Sequence, residues 1–158
     1  MTRTLLLRSA LVVLLASLVV ATSASARSDG SAQLQLIWPA SGPVNSPFGV
    51  WRGDHSHAGI DIAPLRSLRL RAVDGGVVRE TGYATGFSGY GKVVLLDLAG
   101  PYSALYAHLS DVQVRVGERV SQGELLGLAG STGSSTGLHL HFEIRRSGEP
   151  VNPLHYLD

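Results

Sequence analysis

The segment Gly137-Leu138-His139-Leu140-His141-Phe142-Glu143-Ile144 constrains this chain more than any other. Read as a strand, it sends successive side chains to opposite faces. Leu138, Leu140, Phe142 and Ile144 then make one unbroken apolar row for a core. His139, His141 and Glu143 share the opposite face. Two imidazoles on one strand face are also compatible with ordinary surface or core residues. The run before them, Gly130-Ser131-Thr132-Gly133-Ser134-Ser135-Thr136-Gly137, favours a site, because a loop of small residues brings backbone close to whatever the histidines face.

The rest of the chain reads as β structure built around that strand. No segment holds a helical period, and short β-rich runs separated by Gly, Pro and Asp recur instead. Strands are expected over residues 68–72, 76–82, 92–98, 102–109, 113–116, 125–129 and 139–145. In the fifth of these, Val112, Val114 and Val116 alternate with Gln113 and Arg115 as a half-buried strand that ends at Gly117. The expected fold is all-β, a compact antiparallel β-sandwich or partly open barrel. The spacing Gly117-x-x-Val120-x-x-Gly123-x-x-Leu126 resembles the hammerhead turn of biotinyl- and lipoyl-type domains, with valine and leucine inward. A carrier domain of that type presents a modifiable lysine at a hairpin tip. The only lysine, Lys92, lies inside an apolar strand pattern, which argues against a carrier.

The N-terminus reads as a secretory signal over residues 1–26, followed by a flexible lead-in over 27–35 and one folded domain over 36–158. Arg3 and Arg8 form its positive region, residues 10–21 are apolar, and Ala24-Ser25-Ala26 is a cleavage site. The apolar run is shorter than the roughly 20 residues of a membrane span. The expectation is an exported protein, periplasmic or extracellular, with no transmembrane span after cleavage; an uncleaved anchor is the alternative. Loss of Arg3 and Arg8 takes the formal charge from +1 to −1, which is no electrostatic footprint for nucleic acid. There is no cysteine, so thiolate metal sites and thiol nucleophiles are excluded, and a metal site must use His, Asp or Glu.

Two further elements carry candidate chemistry. In His57-Ala58-Gly59-Ile60-Asp61 the histidine and aspartate would stand about 13 Å apart on a straight strand, too far for one ion. The segment must bend to bring them together, and Gly59 permits that. In Tyr106-Ala107-His108-Leu109-Ser110 the histidine follows a hydrophobic strand and precedes a turn at Ser110-Asp111. Two imidazoles, one carboxylate and an open position make a hydrolytic zinc centre. His57, Asp61 and one histidine of the 139/141 pair supply that set. Both histidines together would close the site and make it structural, and spacing leaves this choice open. His55 reads as a loop residue at the groove mouth and His155 as incidental. Glu143 reads either as a carboxylate orienting a ligand or as a surface residue.

Taken together, these elements resemble the lysostaphin-type (LytM-like) zinc metallopeptidases that cut peptidoglycan peptides. The resemblance runs from about Trp38-Pro39 to Asn152-Pro153-Leu154. It is carried by Ser46-Pro47-Phe48-Gly49, His57-Ala58-Gly59-Ile60-Asp61-Ile62-Ala63, Tyr106-Ala107-His108-Leu109-Ser110, Gly130-Ser131-Thr132-Gly133, Ser135-Thr136-Gly137 and His139-Leu140-His141-Phe142-Glu143. It implies one zinc ion per chain held by His57, Asp61 and His141, with His108 and His139 as catalytic histidines beside it. The implied activity is hydrolysis of peptide bonds in cell-wall cross-links or stem peptides. Relatives that lack ligands act as activators of other wall hydrolases, whereas all five positions are filled here. The chain departs from the family's usual residues at Leu65-Arg66-Ser67-Leu68, Lys92 and Leu138, and none of these removes a ligand. A family tyrosine that assists the transition state has no clear counterpart in the sequence. Two other readings stand beside the enzyme: a non-catalytic regulator or wall-binding module of the same fold, and a metallopeptidase that cuts a protein.

Cleavage after Ala26 is the expected processing event. N-terminal sequencing of the extracytoplasmic protein should begin at Arg27, and an intact Met1 on membrane-bound protein would favour the anchor.

Overall fold

Leu140, Phe142 and Ile144 are fully buried in the main hydrophobic core, as the alternation of their segment requires, but Leu138, expected in the same row, lies ahead of the strand and is 50% exposed. The computed structural model of the chain describes residues 34–158. The expected signal and most of the lead-in lie outside the described residues. Leu34, inside the expected lead-in, already packs against the core, and Leu36 is buried and pairs with Leu157. The described residues form ten strands: β1 (Val44–Ser46), β2 (Ile60–Ile62), β3 (Arg69–Arg71), β4 (Gly76–Gly82), β5 (Lys92–Asp97), β6 (Tyr102–Val112), β7 (Arg119–Val120), β8 (Leu125–Ala129), β9 (Leu140–Arg146) and β10 (Glu149–Val151). A short 3₁₀ turn at Pro153–His155 follows them. The all-β expectation holds. The strands form one antiparallel sheet in the order β1-β2-β9-β6-β5-β4-β7, with β10 on β9 and with β8 joining β3 to β6; it does not close into a barrel. Among the described residues no helix is long and apolar enough to cross a membrane.

β6 is the central strand, and it is buried on both faces from Ser103 to Leu109. On one face Ala104, Tyr106 and Leu109 join the main core, where the Tyr106 ring meets Phe142 edge-on at 5.2 Å. Tyr106 keeps its hydroxyl satisfied there by accepting from the Val73 amide at 2.9 Å. On the other face Leu105 and Ala107 join Val93 and Leu95 in a smaller cluster, covered by Ala84, Phe87 and Tyr90 from the loop between β4 and β5. Ala107 pairs with His141 and Leu105 with Glu143 across β6 and β9, while Asp61 pairs with His141 across β2 and β9. The polar row of β9 therefore faces the small cluster and not the main core.

Several expectations are met and some are corrected. β4 and β8 match their expected bounds, and Val120 and Leu126 point inward at the hammerhead turn. The expected turn at Ser110-Asp111 is absent. β6 continues to Val112, and Asp111 and Val112 pair with Leu128 and Gly127 of β8. The expected strand over 113–116 is a loop. Val114 is buried, but Val116 is 62% exposed beside the Gly117 turn, so the alternation there does not reflect pairing. Sequence pattern also passed over β1, β2, β7 and β10, which at two or three residues are too short to show a period.

Candidate metal centre

Three elements meet on the small-cluster face. β9 supplies His141 and β2 supplies Asp61 at paired positions, so their side chains stand together by register alone. His57 reaches the same point because the chain bends before β2. The bend depends on close approach: a Cβ on Gly59 would lie 2.2 Å from the Phe142 carbonyl oxygen, so no larger residue fits against β9 there. His57 Nε2 stands 3.0 Å from His141 Nδ1 and 3.2 Å from Asp61 Oδ1, and His141 Nδ1 stands 2.9 Å from the same oxygen. All three side chains are buried.

The opposite ends of the rings decide what these atoms can do. His57 Nδ1 donates to the Pro47 carbonyl at 2.9 Å, and His141 Nε2 donates to Glu143 Oε1 at 3.0 Å. Each bond fixes the tautomer, so the facing nitrogens both present lone pairs. With Asp61 Oδ1 they make three lone-pair donors around one point, an arrangement that needs a cation or a shared proton. Burial works against a charge on His141, but Asp61 and Glu143 outweigh it and raise its pKa. Burial likewise pushes Asp61 up, yet His141, His57 and Arg52 together hold it well below the usual carboxylate range. The triangle's sides of 2.9, 3.0 and 3.2 Å compare with the ~3.3 Å edge of a tetrahedron whose metal–ligand bonds are about 2.0–2.1 Å. The donor set and its spacing therefore fit a zinc-type ion with three protein ligands and an open position.

Glu143 is not a surface carboxylate. It is fully buried, and it accepts from Tyr90 Oη at 2.7 Å and Arg145 Nε at 2.7 Å as well as from His141. Burial opposes its ionisation, but these three donors lower its pKa. Tyr90 also packs edge-on against the His141 ring at 5.3 Å. Arg52 donates to Asp61 Oδ2, so only Oδ1 turns toward the two imidazoles, and a second bond to Ser46 Oγ anchors the guanidinium. Neither Tyr90 nor Arg52 was singled out from sequence. Each acts through a partner brought near by folding, and nothing in the local pattern signals it.

His139 and His108 lie beside the triangle. His139 Nε2 is 3.9 Å from Asp61 Oδ1, outside the set of converging donors. The His108 and His139 rings are 4.7 Å apart, and His108 is 6.0 Å from His141. His108 reaches this place through a β-bulge. Val94 pairs with Tyr106 and Lys92 with Leu109, so β6 holds one residue more than β5 between the two pairs. The displaced His108 has φ 62°, a left-handed conformation that costs a non-glycine residue about 1–2 kcal/mol. Its Nδ1 donates to the Thr132 carbonyl at 2.7 Å, and His139 Nδ1 donates to the Gly137 carbonyl at 2.9 Å. In the neutral form of either ring Nε2 therefore carries the lone pair. Burial lowers the His108 pKa, with the Thr132 carbonyl opposing. The small-residue loop makes these contacts possible: a Cβ on Gly133 would lie 2.4 Å from the Gly89 carbonyl oxygen and the Gly91 nitrogen.

Two hollows flank the triangle. One of about 460 Å³ is lined by His57, His108, His141, Tyr90, Arg52 and the exposed His55 at its mouth. The other, of about 200 Å³, is lined by Asp61, His139, Asn45, Thr136 and Leu138. His155 sits in the C-terminal 3₁₀ turn and lines neither hollow.

The chain is similar to known proteins. Residues 55–153 match Peptidase family M23. The DD-carboxypeptidase/endopeptidase Mpg of Neisseria meningitidis is 41% identical over 119 residues, covering 70% of this chain and 26% of that protein. The murein hydrolase activator NlpD of Escherichia coli is 38% identical over 120 residues, covering 76% of this chain and 30% of that protein. This chain therefore spans less than a third of the length of either relative. The catalytic domain of the antimicrobial peptidase lysostaphin from Staphylococcus simulans superimposes with a TM-score of 0.59 at 29% identity, over 72% of this chain and 87% of that one.

Replacing Glu143 by Gln removes the charge that holds His141 while keeping its shape. The fold should persist and zinc affinity should fall by about 10–100-fold, measured by competition with a chromogenic chelator. Undiminished affinity would leave Glu143 as a structural residue only.

Proposed function

The chain belongs to Peptidase family M23, and from that premise we propose that it is an exported zinc endopeptidase that hydrolyses peptide bonds of bacterial peptidoglycan. The observation that carries this reading is the three-donor triangle with two further imidazoles beside it, each holding Nε2 free. His57 Nε2, Asp61 Oδ1 and His141 Nδ1 would hold one zinc ion. When bound, the ion supplies Lewis-acid polarisation of the scissile carbonyl and a water acidic enough to attack at neutral pH.

The chain's own residues do the rest. Pro47, Glu143 and Arg52 fix the three ligands from behind, so the donors need little reorganisation. An extended peptide crosses from one hollow to the other, with its scissile bond over the triangle between them. Nε2 of His139 or His108 accepts the attacking water's proton, becomes an N–H donor that hydrogen-bonds the developing oxyanion, and passes the proton to the departing amine, while the other ring's Nε2 accepts from the water and orients it. The products are a carboxylate and an amine, and the histidines end the cycle unprotonated at Nε2. Burial favours that neutral state in His108.

The likeness to NlpD supports a second reading, a module of the same fold that activates other wall hydrolases. The filled ligand and histidine positions favour the peptidase.

Three variants test the assignment. His141→Ala should lose zinc. His139→Ala and His108→Ala should each keep zinc and fold, and each should lower turnover of wall peptides by roughly 10²–10⁴. Elemental analysis, circular dichroism and peptide cleavage read these out. Equal metal loss in His139→Ala and His141→Ala would sink the division between ligand and base, and near-wild-type turnover in His108→Ala would remove that residue from the chemistry.

A further inference from the structure

A hollow of about 590 Å³, larger than those flanking the triangle, plays no part in the chemistry above. It is lined by Trp38, Ser41, Arg66, Ser67, Arg69 and Arg71 among others, and no acidic residue lines it. β3 alternates exposed, buried, exposed, so Arg69 and Arg71 emerge on one face while Leu70 enters the core. Two backbone bonds tie the walls together: Arg66 N–H donates to the Ser41 carbonyl, and Arg71 N–H donates to the Pro39 carbonyl. Arg71 also spends one guanidinium N–H on the Gly123 carbonyl at 2.7 Å. Among the described residues the side chains of Arg66 and Arg69 have no ion-pair or hydrogen-bond partner, as holds also for Arg119 and Arg146, whereas Arg52, Arg79, Arg115 and Arg145 face carboxylates. Trp38 is 38% exposed beside them. Three arginines and a partly exposed tryptophan thus line a concave surface with no acidic residue in its lining, in a chain whose formal charge is near zero. Arg66 also lies in the segment where this chain departs from the family's usual residues.

The position of the hollow says what fills it. Residues 41–46 run antiparallel to 61–66 along one ladder: Ser46 pairs with Asp61, Val44 pairs with Ile62, Ala63 N–H bonds the Pro43 carbonyl and Arg66 N–H bonds the Ser41 carbonyl. The Asp61 end opens into the smaller catalytic hollow, which Asn45 and Ala63 line, and the Ser41/Arg66 end opens into the basic one. Four residues of extended chain separate Asn45 from Ser41, at most about 13 Å. An extended polymer that leaves the smaller hollow along this ladder would have the basic one within that distance. Resting on the wall-peptidase reading, we propose that this basic hollow is an exosite for the substrate polymer itself. It takes carboxylates of the wall's acidic glycopeptide on Arg66 and Arg69, with Trp38 as a flat face for the adjoining sugar or peptide. Guanidinium forks suit carboxylates through paired charge-assisted hydrogen bonds, and an aromatic face suits the apolar side of a sugar ring.

The test uses the full chain and the double variant Arg66→Gln/Arg69→Gln, which leaves Arg71 and its backbone bond in place. Sedimentation with purified insoluble peptidoglycan measures binding without requiring catalysis, so it still decides the matter if the protein proves not to be a peptidase. The wild type should bind, and binding should weaken at high salt. The double variant should need roughly tenfold more peptidoglycan for half-saturation, the order expected for two lost solvent-exposed ion pairs. In the cleavage arm its half-saturating peptidoglycan concentration should rise while turnover of a short soluble stem peptide stays at the wild-type level. Unchanged sedimentation would overturn the proposal. So would an equal loss on the short peptide, which would place the effect in the catalytic groove. Loss of binding to phosphatidylglycerol vesicles with retained binding to peptidoglycan would also overturn it and assign the hollow to lipid phosphate.

Discussion

Three buried lone-pair donors held at about 3 Å from one another are the constraint on which the rest of this structure depends. Left alone, such an arrangement repels itself. It persists because each donor is gripped from behind: His57 by the Pro47 carbonyl, His141 by buried Glu143 and Asp61 by Arg52. Glu143 in turn is saturated by Tyr90 and Arg145, so a charge with no exposed surface has three partners. A buried carboxylate with fewer partners would take up a proton and release the histidine. The outer contacts are thus part of the same device as the three donors.

The fold provides a firm support for the site by making β6 the central strand and burying both of its faces. One face belongs to the main core. The other is a thin apolar layer under Phe87 and Tyr90, and the polar row of β9 lies along its edge. Rigidity of the core thereby reaches the site through only one layer of backbone. The local conflict is His108, a non-glycine residue in a left-handed bulge, held by its bonds to the Tyr90 and Thr132 carbonyls. Strain of this kind persists where the surroundings over-determine it, and here it turns an imidazole out of the strand toward the second one.

What was legible in the sequence follows from what is local. The strand period alone separated Leu140, Phe142 and Ile144 from His141 and Glu143, and the glycine spacing placed Val120 and Leu126 inward. Spacing could not bring His57 to Asp61, since a straight strand forbids it; the family resemblance supplied the pairing, and Gly59 against the Phe142 carbonyl explains it. Tyr90 and Glu143 are 53 residues apart, and no local pattern joins them. The bulge at His108 was invisible for a similar reason. It exists because β6 must match β5 and β9 at once, and that same requirement carries β6 through Ser110 and Asp111 where a turn was expected.

The claim that this centre is catalytic is tested most directly by mass spectrometry of purified peptidoglycan after incubation with the protein as isolated, after chelation, and after zinc is restored. The account predicts new peptide termini in the first sample, none in the second and their return in the third. Intact peptide in all three samples, from protein that holds one zinc per chain, would contradict it and leave a metal-bound module that acts through other hydrolases.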